Sequence, residues 1–146
     1  MGQVIEIGIH KKRGDLPFNV NSVDAIKGKG LLSNRHFKED NNKLAQLTLI
    51  EIENINYYNK IIKSNIPAIN FRRNIIVKNI RLNGLKDKEF FIGNVRVKGH
   101  DLCEPCLYLE KSLKQENLVK NLTNKAGLRC EILTSGKISV GDLIKF

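Results

Sequence analysis

The chain has 146 residues, with 25 Lys plus Arg against 15 Asp plus Glu and a formal net charge of +10. That length fits one domain over 1–146, with one core and no room for an aminotransferase or ferredoxin module beside it. Its apolar fraction is 41% in short runs, well below the roughly 20 consecutive apolar residues that span a bilayer, so no membrane partner is expected.

The positive charge favours encounter with anions. The lysines are scattered, however, and aromatics make up only 6%, so the interleaved basic and stacking residues of a nucleic-acid binder are missing and nucleic acid is disfavoured as a partner. Met1 to Glu6 leads straight into a strand pattern without the basic and apolar regions of a leader, which places the protein in the cytoplasm. Three cysteines argue against a disulfide framework and for reduced thiols.

Val4 to His10 alternates, with Ile5, Ile7 and Ile9 on one face, which reads as a half-buried strand. A second strand runs through Val20, Val23 and Ile26 and breaks at Gly28-Lys29-Gly30. Leu31 to Lys43 is polar and irregular, a long loop of the kind that often carries function. Thr48-Leu49-Ile50-Glu51 has the form of a capping box. Leu49, Ile52, Ile55, Tyr58 and Ile62 follow at helical spacing, so a helix is predicted from about Thr48 to Ser64, stopped by Pro67.

From Phe71 the β pattern returns at Ile75 to Val77, Phe90 to Ile92 and Val95 to Lys98. Turns fall at Asn83-Gly84 and Gly93-Asn94, the second suited to a tight hairpin. Two helical stretches follow Cys106, through Leu107 to Leu113 and Leu118 to Leu122. A meander over Leu128 to Leu133, Ile138 to Val140 and Leu143-Ile144 ends the chain. Short strands at this spacing predict a mainly β fold with a few helices, a closed or nearly closed β barrel. A βαβ layout is disfavoured because only one strong helix lies between strands in the first two thirds. Gly-rich phosphate loops are absent.

Candidate chemistry falls in two places. Cys103-Glu104-Pro105-Cys106 lies between a strand and a helix. Pro105 restricts Glu104 to extended geometry and would present Cys106 at a helix N-terminus, where a thiol loses its proton more readily. Cys103 is its candidate catalytic companion. Cys130, alternating inward between Leu128 and Ile132, reads as a core thiol. A redox pair would want a thioredoxin-like context that is missing, and zinc drawn from His100, Cys103, Cys106 and Cys130 lacks a second matching pair. The second place is Arg72-Arg73-Asn74, at a strand entrance, where planar guanidinium forks and an amide can grip a phosphate. Arg129, Arg35 and His36 are further candidates; histidine is the residue type for proton chemistry near neutral pH, although a lone one such as His36 or His100 is more often structural.

Seven segments in order resemble the molybdenum-cofactor sulfurase C-terminal (MOSC) domain family over nearly the whole chain. They are Gly28-Lys29-Gly30-Leu31 with Arg35, Gln46 to Glu51, Arg72 to Ile75, Gly93, Cys103 to Cys106 with Leu109-Glu110, Gly127-Leu128-Arg129, and Gly136 to Asp142. The resemblance implies a barrel of the pyruvate-kinase β-barrel-like type that binds the molybdenum cofactor, molybdopterin carrying the metal. It implies Cys106 as the metal ligand and Arg72 and Asn74 near the cofactor; Arg73 and Arg129 would add positive charge for its phosphate, with Arg35 and His36 as further cofactor-side candidates. It implies a small-molecule N-hydroxylated substrate, reduced with electrons from a separate reductase. The alternative it implies is a sulfur carrier, with a persulfide on Cys106 received from a cysteine desulfurase. One departure stands out: the family usually has Gly-Asp where this chain has Ser33-Asn34.

Overall fold

A computed structural model describes residues 1–105, 107–115 and 117–146. Among the described residues, eleven strands form two sheets. They are β1 (Gly2–Ile9), β2 (Phe18–Val20), β3 (Ser22–Ile26), β4 (Gly30–Leu31), β5 (Leu47–Glu51), β6 (Ile75–Lys78), β7 (Glu89–Ile92), β8 (Val95–Leu102), β9 (Leu128–Ile132), β10 (Gly136–Ser139) and β11 (Leu143–Lys145). The larger sheet runs β11-β7-β8-β9-β5-β6-β1-β2, and β11 also pairs with β1, so seven strands close on themselves while β2 hangs from the rim. The predicted mainly β barrel is therefore a closed one. Strands β10, β3 and β4 make the second sheet.

The closed sheet has an inside and an outside, and the side chains sort by period two. Leu47, Leu49, Ile75 and Val77 point into the barrel with Ile7, Phe90, Val97, Leu128 and Cys130. Ile50 and Ile76 point out, into a second cluster with Ile55, Tyr58, Phe71, Leu109, Leu118 and Leu122. Each fully buried aliphatic or aromatic side chain contributes about 1.5–3 kcal/mol. The second cluster is thus what holds α1 (Ile52–Ile62), α2 (Leu107–Ser112) and α3 (Leu118–Leu122) on the barrel wall.

Strand β1 departs from the simple alternation. The pairing with β6 shifts register between Val4 and Glu6, and Val4, Ile7 and Ile9 enter the barrel while Ile5 packs against the outer cluster. A bulge of this kind flips the face of every later residue.

The predicted helix from Thr48 is corrected: Leu47–Glu51 is strand β5, and the helix occupies only Ile52–Ile62. The capping box does not form, since Thr48 is extended and the N-cap Glu51 makes no side-chain cap hydrogen bond. Leu49 is buried in the barrel interior and Ile50 in the outer cluster, with β6 and β9 paired on the two edges, and that burial outweighs a local capping preference. The helix also ends before Pro67. Lys63 adopts φ +54°, and the N–H of Ser64 donates to the Asn59 carbonyl at 2.9 Å.

Strands β5 and β6 are parallel and α1 links them across the outer wall, so one βαβ unit, disfavoured from the sequence, is built into the barrel. The second predicted strand divides into β2 and β3, which belong to different sheets. The Gly93-Asn94 turn forms as predicted, with Ile92 opposite Val95 and Gly93 at φ +59°. Among the described residues no helix is long and apolar enough to cross a membrane.

Candidate functional site

Asn74, the last residue before β6, ties three strands together. Its Oδ1 accepts from the backbone N–H and the hydroxyl of Thr48, both at 3.1 Å, and its own N–H donates to Thr48 Oγ1 at 3.0 Å. Its Nδ2 donates to the Gly8 carbonyl at 3.2 Å, while the Gly8 N–H donates to the Asn74 carbonyl at 2.7 Å. These bonds pull the end of β1 and the start of β5 against the entrance of β6. A concave pocket of about 290 Å³ opens there, lined by His10, Asn34, Arg35, His36, Ala45, Thr48, Arg72, Arg73, Asn74 and Arg129.

Four guanidiniums reach this pocket from three parts of the chain. Arg72 ends a short 3₁₀ turn over Ala68–Phe71 with φ +64°, and its Nε donates to Ser112 Oγ at 3.3 Å. Arg73 Nε donates to the Ala126 carbonyl at 2.8 Å. Arg129 lies on β9 opposite Thr48, and its Nη1 donates to the Leu44 carbonyl at 3.1 Å. Arg35 comes from the early loop, its backbone N–H donating to the His10 carbonyl at 2.7 Å.

The Ser33-Asn34 departure has a structural meaning. Ser33 holds φ +71°, a left-handed conformation that glycine adopts without strain. Asn34 is buried and its Oδ1 accepts the His10 N–H at 2.9 Å. An aspartate accepts the same bond but would bring a negative charge; asparagine leaves the pocket more positive.

The histidines register that positive charge. The pKa of His10 is lowered from 6.5 to about 4, first by burial and then by Arg72, Arg35 and His36, with Asp15 opposing weakly. His36 is lowered by burial, then by Arg35 and Arg129. Both rings are neutral at pH 7, chiefly because burial disfavours their charged form; the neighbouring arginines add to it, and their charge would attract an anion.

The six residues expected around a cofactor, Arg35, His36, Arg72, Arg73, Asn74 and Arg129, all line this one pocket. Asn74 differs in its task, because its amide is engaged by Thr48 and Gly8 and shapes the wall. His10 and Thr48 are residues that sequence reasoning missed. The only signal for His10 was its place on the polar face of β1.

The cysteines are less directly placed. Cys103 is 1% exposed. Burial raises its thiol pKa against the opposing pull of Arg73 and Arg129, so it is a protonated thiol close to two of the pocket arginines. Its backbone N–H donates to the Gly127 carbonyl at 2.8 Å, beside the Ala126 carbonyl that receives Arg73. Cys106, the expected metal ligand and nucleophile, lies outside the described residues. Cys130 is fully buried in the barrel, as its alternation predicts. His100 instead faces Glu131, with Nε2 2.9 Å from Oε1. Among the described residues no three His, Cys, Asp or Glu side chains gather to hold a metal.

A larger groove, about 780 Å³, runs past Glu51, Glu53, Asn79, Arg81, Asn83 and Lys125. Its two acids and two bases balance, so it does not concentrate charge of one sign.

A closed seven-stranded barrel with helices on its outer wall and a cationic pocket at the strand entrances defines the class. The family model described as MOSC domain matches residues 33–145, and the chain belongs to that family. Its fold is similar to that of the YuaD protein from Bacillus subtilis, at a TM-score of 0.84 and 18% identity over 99% of this chain and 94% of that one. It is also similar to YiiM from Geobacillus stearothermophilus, with TM-score 0.81, 16% identity and coverage of 99% and 74%. YiiM from Escherichia coli gives 0.71 and 16%, with coverage of 98% and 68%. At these identities the likeness carries the fold. No curated protein matches the chain by sequence.

Proposed function

We propose that this MOSC domain binds the molybdenum cofactor in the four-arginine pocket and reduces N-hydroxylated small molecules. The observation that carries the reading is the convergence of Arg35, Arg72, Arg73 and Arg129 on one concave site that holds two neutral histidines. The residues fit the anionic part of such a cofactor: guanidinium forks match phosphate oxygens, and each charged hydrogen bond contributes about 1.5–3 kcal/mol.

Arg35, Arg72, Arg73 and Arg129 would hold the phosphate, and Asn34 and His36 line the wall beside them. Cys106 would supply the thiolate, the ligand class suited to a soft metal. When bound, the cofactor would supply a redox-active metal for passing two electrons to an N–O bond. Reduction of an N-hydroxyl group consumes two electrons and two protons and releases water, so a separate reductase is needed as electron donor. The protein's own part is to bind the anion, to keep its pocket histidines neutral, and to hold Cys103 as a buried thiol beside Arg73 and Arg129.

The test is expression in cells able and unable to make the cofactor, followed by metal analysis and reduction of hydroxylaminopurine. Stoichiometric molybdenum and activity in the competent cells alone are expected. The double variant Arg35→Met, Arg129→Met is expected to lose cofactor at least tenfold, since each lost charged contact is worth about tenfold or more. Protein from competent cells without molybdenum or activity overturns the reading. A one-sulfur mass increase after incubation with a cysteine desulfurase, lost in Cys106→Ala, would instead identify a persulfide carrier.

A further inference from the structure

His10 directly follows β1 at the pocket wall and is 8% exposed. Both of its backbone groups are taken by the early loop: Asn34 Oδ1 accepts its N–H at 2.9 Å, and its carbonyl accepts the N–H of Arg35 at 2.7 Å. The residue is therefore latched at N and at C, and its imidazole is held where the strand places it. Nε2 lies 3.1 Å from Arg72 Nη1. A guanidinium has donors and no acceptor, so Nε2 is the acceptor and the proton of the neutral ring sits on Nδ1.

Arg72 is thus held at two different nitrogens. His10 takes Nη1 from β1, and Ser112 Oγ takes Nε from α2. Because the guanidinium is planar and rigid, fixing two of its nitrogens fixes the direction of the others. The nature of the acceptor matters as much as its place. A carboxylate at position 10 would hold Arg72 equally well but would offset its charge, whereas a neutral imidazole holds it and adds no negative charge of its own.

We infer that His10 is the positioning residue of the anion pocket, an uncharged acceptor that sets the plane of the Arg72 guanidinium without itself adding an opposing charge. The inference rests on the reading of this pocket as an anion site. His10 acts through Arg72, and its replacement alters ligand affinity only while Arg72 is present.

The experiment measures binding of inorganic phosphate by titration calorimetry to the intact protein and to six variants whose folding is checked by thermal melting: His10→Phe, His10→Gln, His10→Asp, Arg72→Met, the His10→Phe Arg72→Met double and Arg35→Met. His10→Phe, which removes the acceptor, is expected to weaken binding about fivefold or more. In the Arg72→Met background the same change should cost nothing further, the signature of a coupled pair. His10→Gln, a neutral acceptor, should restore affinity to within about threefold of the wild type, and His10→Asp should not, because its charge offsets the guanidinium.

Equal losses for His10→Gln and His10→Phe overturn the inference, as does an undiminished loss from His10→Phe in the Arg72→Met background, which would mean direct contact with the ligand. Wild-type binding that falls with Arg35→Met but ignores every change at His10 overturns this inference and leaves the pocket reading standing. A wild type that binds no phosphate removes both.

Discussion

The two ends of strand β5 treat charge in opposite ways. At the Thr48 end, guanidiniums from the early loop, the 3₁₀ turn and β9 crowd one pocket, and the histidines among them give up their protons. At the other end Glu51 is 5% exposed, its Oε2 accepts the Leu82 N–H at 3.4 Å, and its Oε1 has no hydrogen-bond partner among the described residues. The groove there sets Glu51 and Glu53 against Arg81 and Lys125. A protein stores potential where it collects one sign in a concave site, and dissipates it where signs alternate. The smaller pocket gathers cations alone, while the larger groove mixes both signs.

If both ends depend on β5 being rigid, the most damaging change is at its middle. Gly127 has φ +109°, and a Cβ there would lie 1.9 Å from the Leu49 carbonyl oxygen. Gly127→Ala must push β9 away from β5 and disturb the Cys103 and Arg73 bonds on either side of it. A loss of about 3 kcal/mol or more is expected in urea unfolding, together with weakened phosphate binding. A variant of wild-type stability would show that the two ends are not mechanically joined through β5.

A second experiment sharpens the contrast through pH. The pKa of His10 is about 4 in the folded protein against 6.5 ordinarily, so the folded state binds fewer protons than the unfolded one between those values. Its contribution to stability is complete above pH 6.5 and is lost as the pH falls through about 4. The urea midpoint should drop across that window, and His10→Gln should flatten the drop. An unchanged slope in His10→Gln would place the acid sensitivity elsewhere.

The opposite end of β5 should show the opposite sign. Burial raises the Glu51 carboxyl above its usual range, against hydrogen bonds from Leu82 and Asn54 that lower it. The folded state then prefers the protonated acid, so this residue's penalty grows as the pH rises from 4.5 toward neutrality. Glu51→Gln should be more stable than the wild type at pH 7, by about 1 kcal/mol, and should lose that advantage near pH 4. Equal stability changes at the two pH values would show that Glu51 carries no buried-charge penalty. This is the smallest of the expected effects.

Much of the barrel was legible because strand patterns are local. Val95 to Lys98 alternates, Gly93-Asn94 can take only a narrow turn, and Leu128-Arg129-Cys130 reads inward, outward, inward; each is settled within a few residues, and each is found as read. Thr48 to Glu51 was misread because its sequence satisfies a helix start and a doubly buried strand equally well, and only the neighbours β6 and β9 choose between them. The face of Ile5 was misread because a bulge leaves no mark in hydrophobic alternation. The cofactor-side residues were named individually, but Asn74 acts as a staple and His10 was passed over, since their roles are made of bonds to Thr48, Gly8, Asn34 and Arg72.

The sequence by itself determined the family, a mainly β barrel left as closed or nearly closed, and the list of arginines; the pairing of β11 with β1 closed it. Those follow from residue order and short-range periodicity, which one strand carries alone. Tertiary structure decided that residues near positions 10, 35, 72 and 129 share one wall, which of their groups are spent on the fold, and which protons they lose. Burial and electrostatic potential are sums over neighbours in space, and such sums exist only once the sheet has closed.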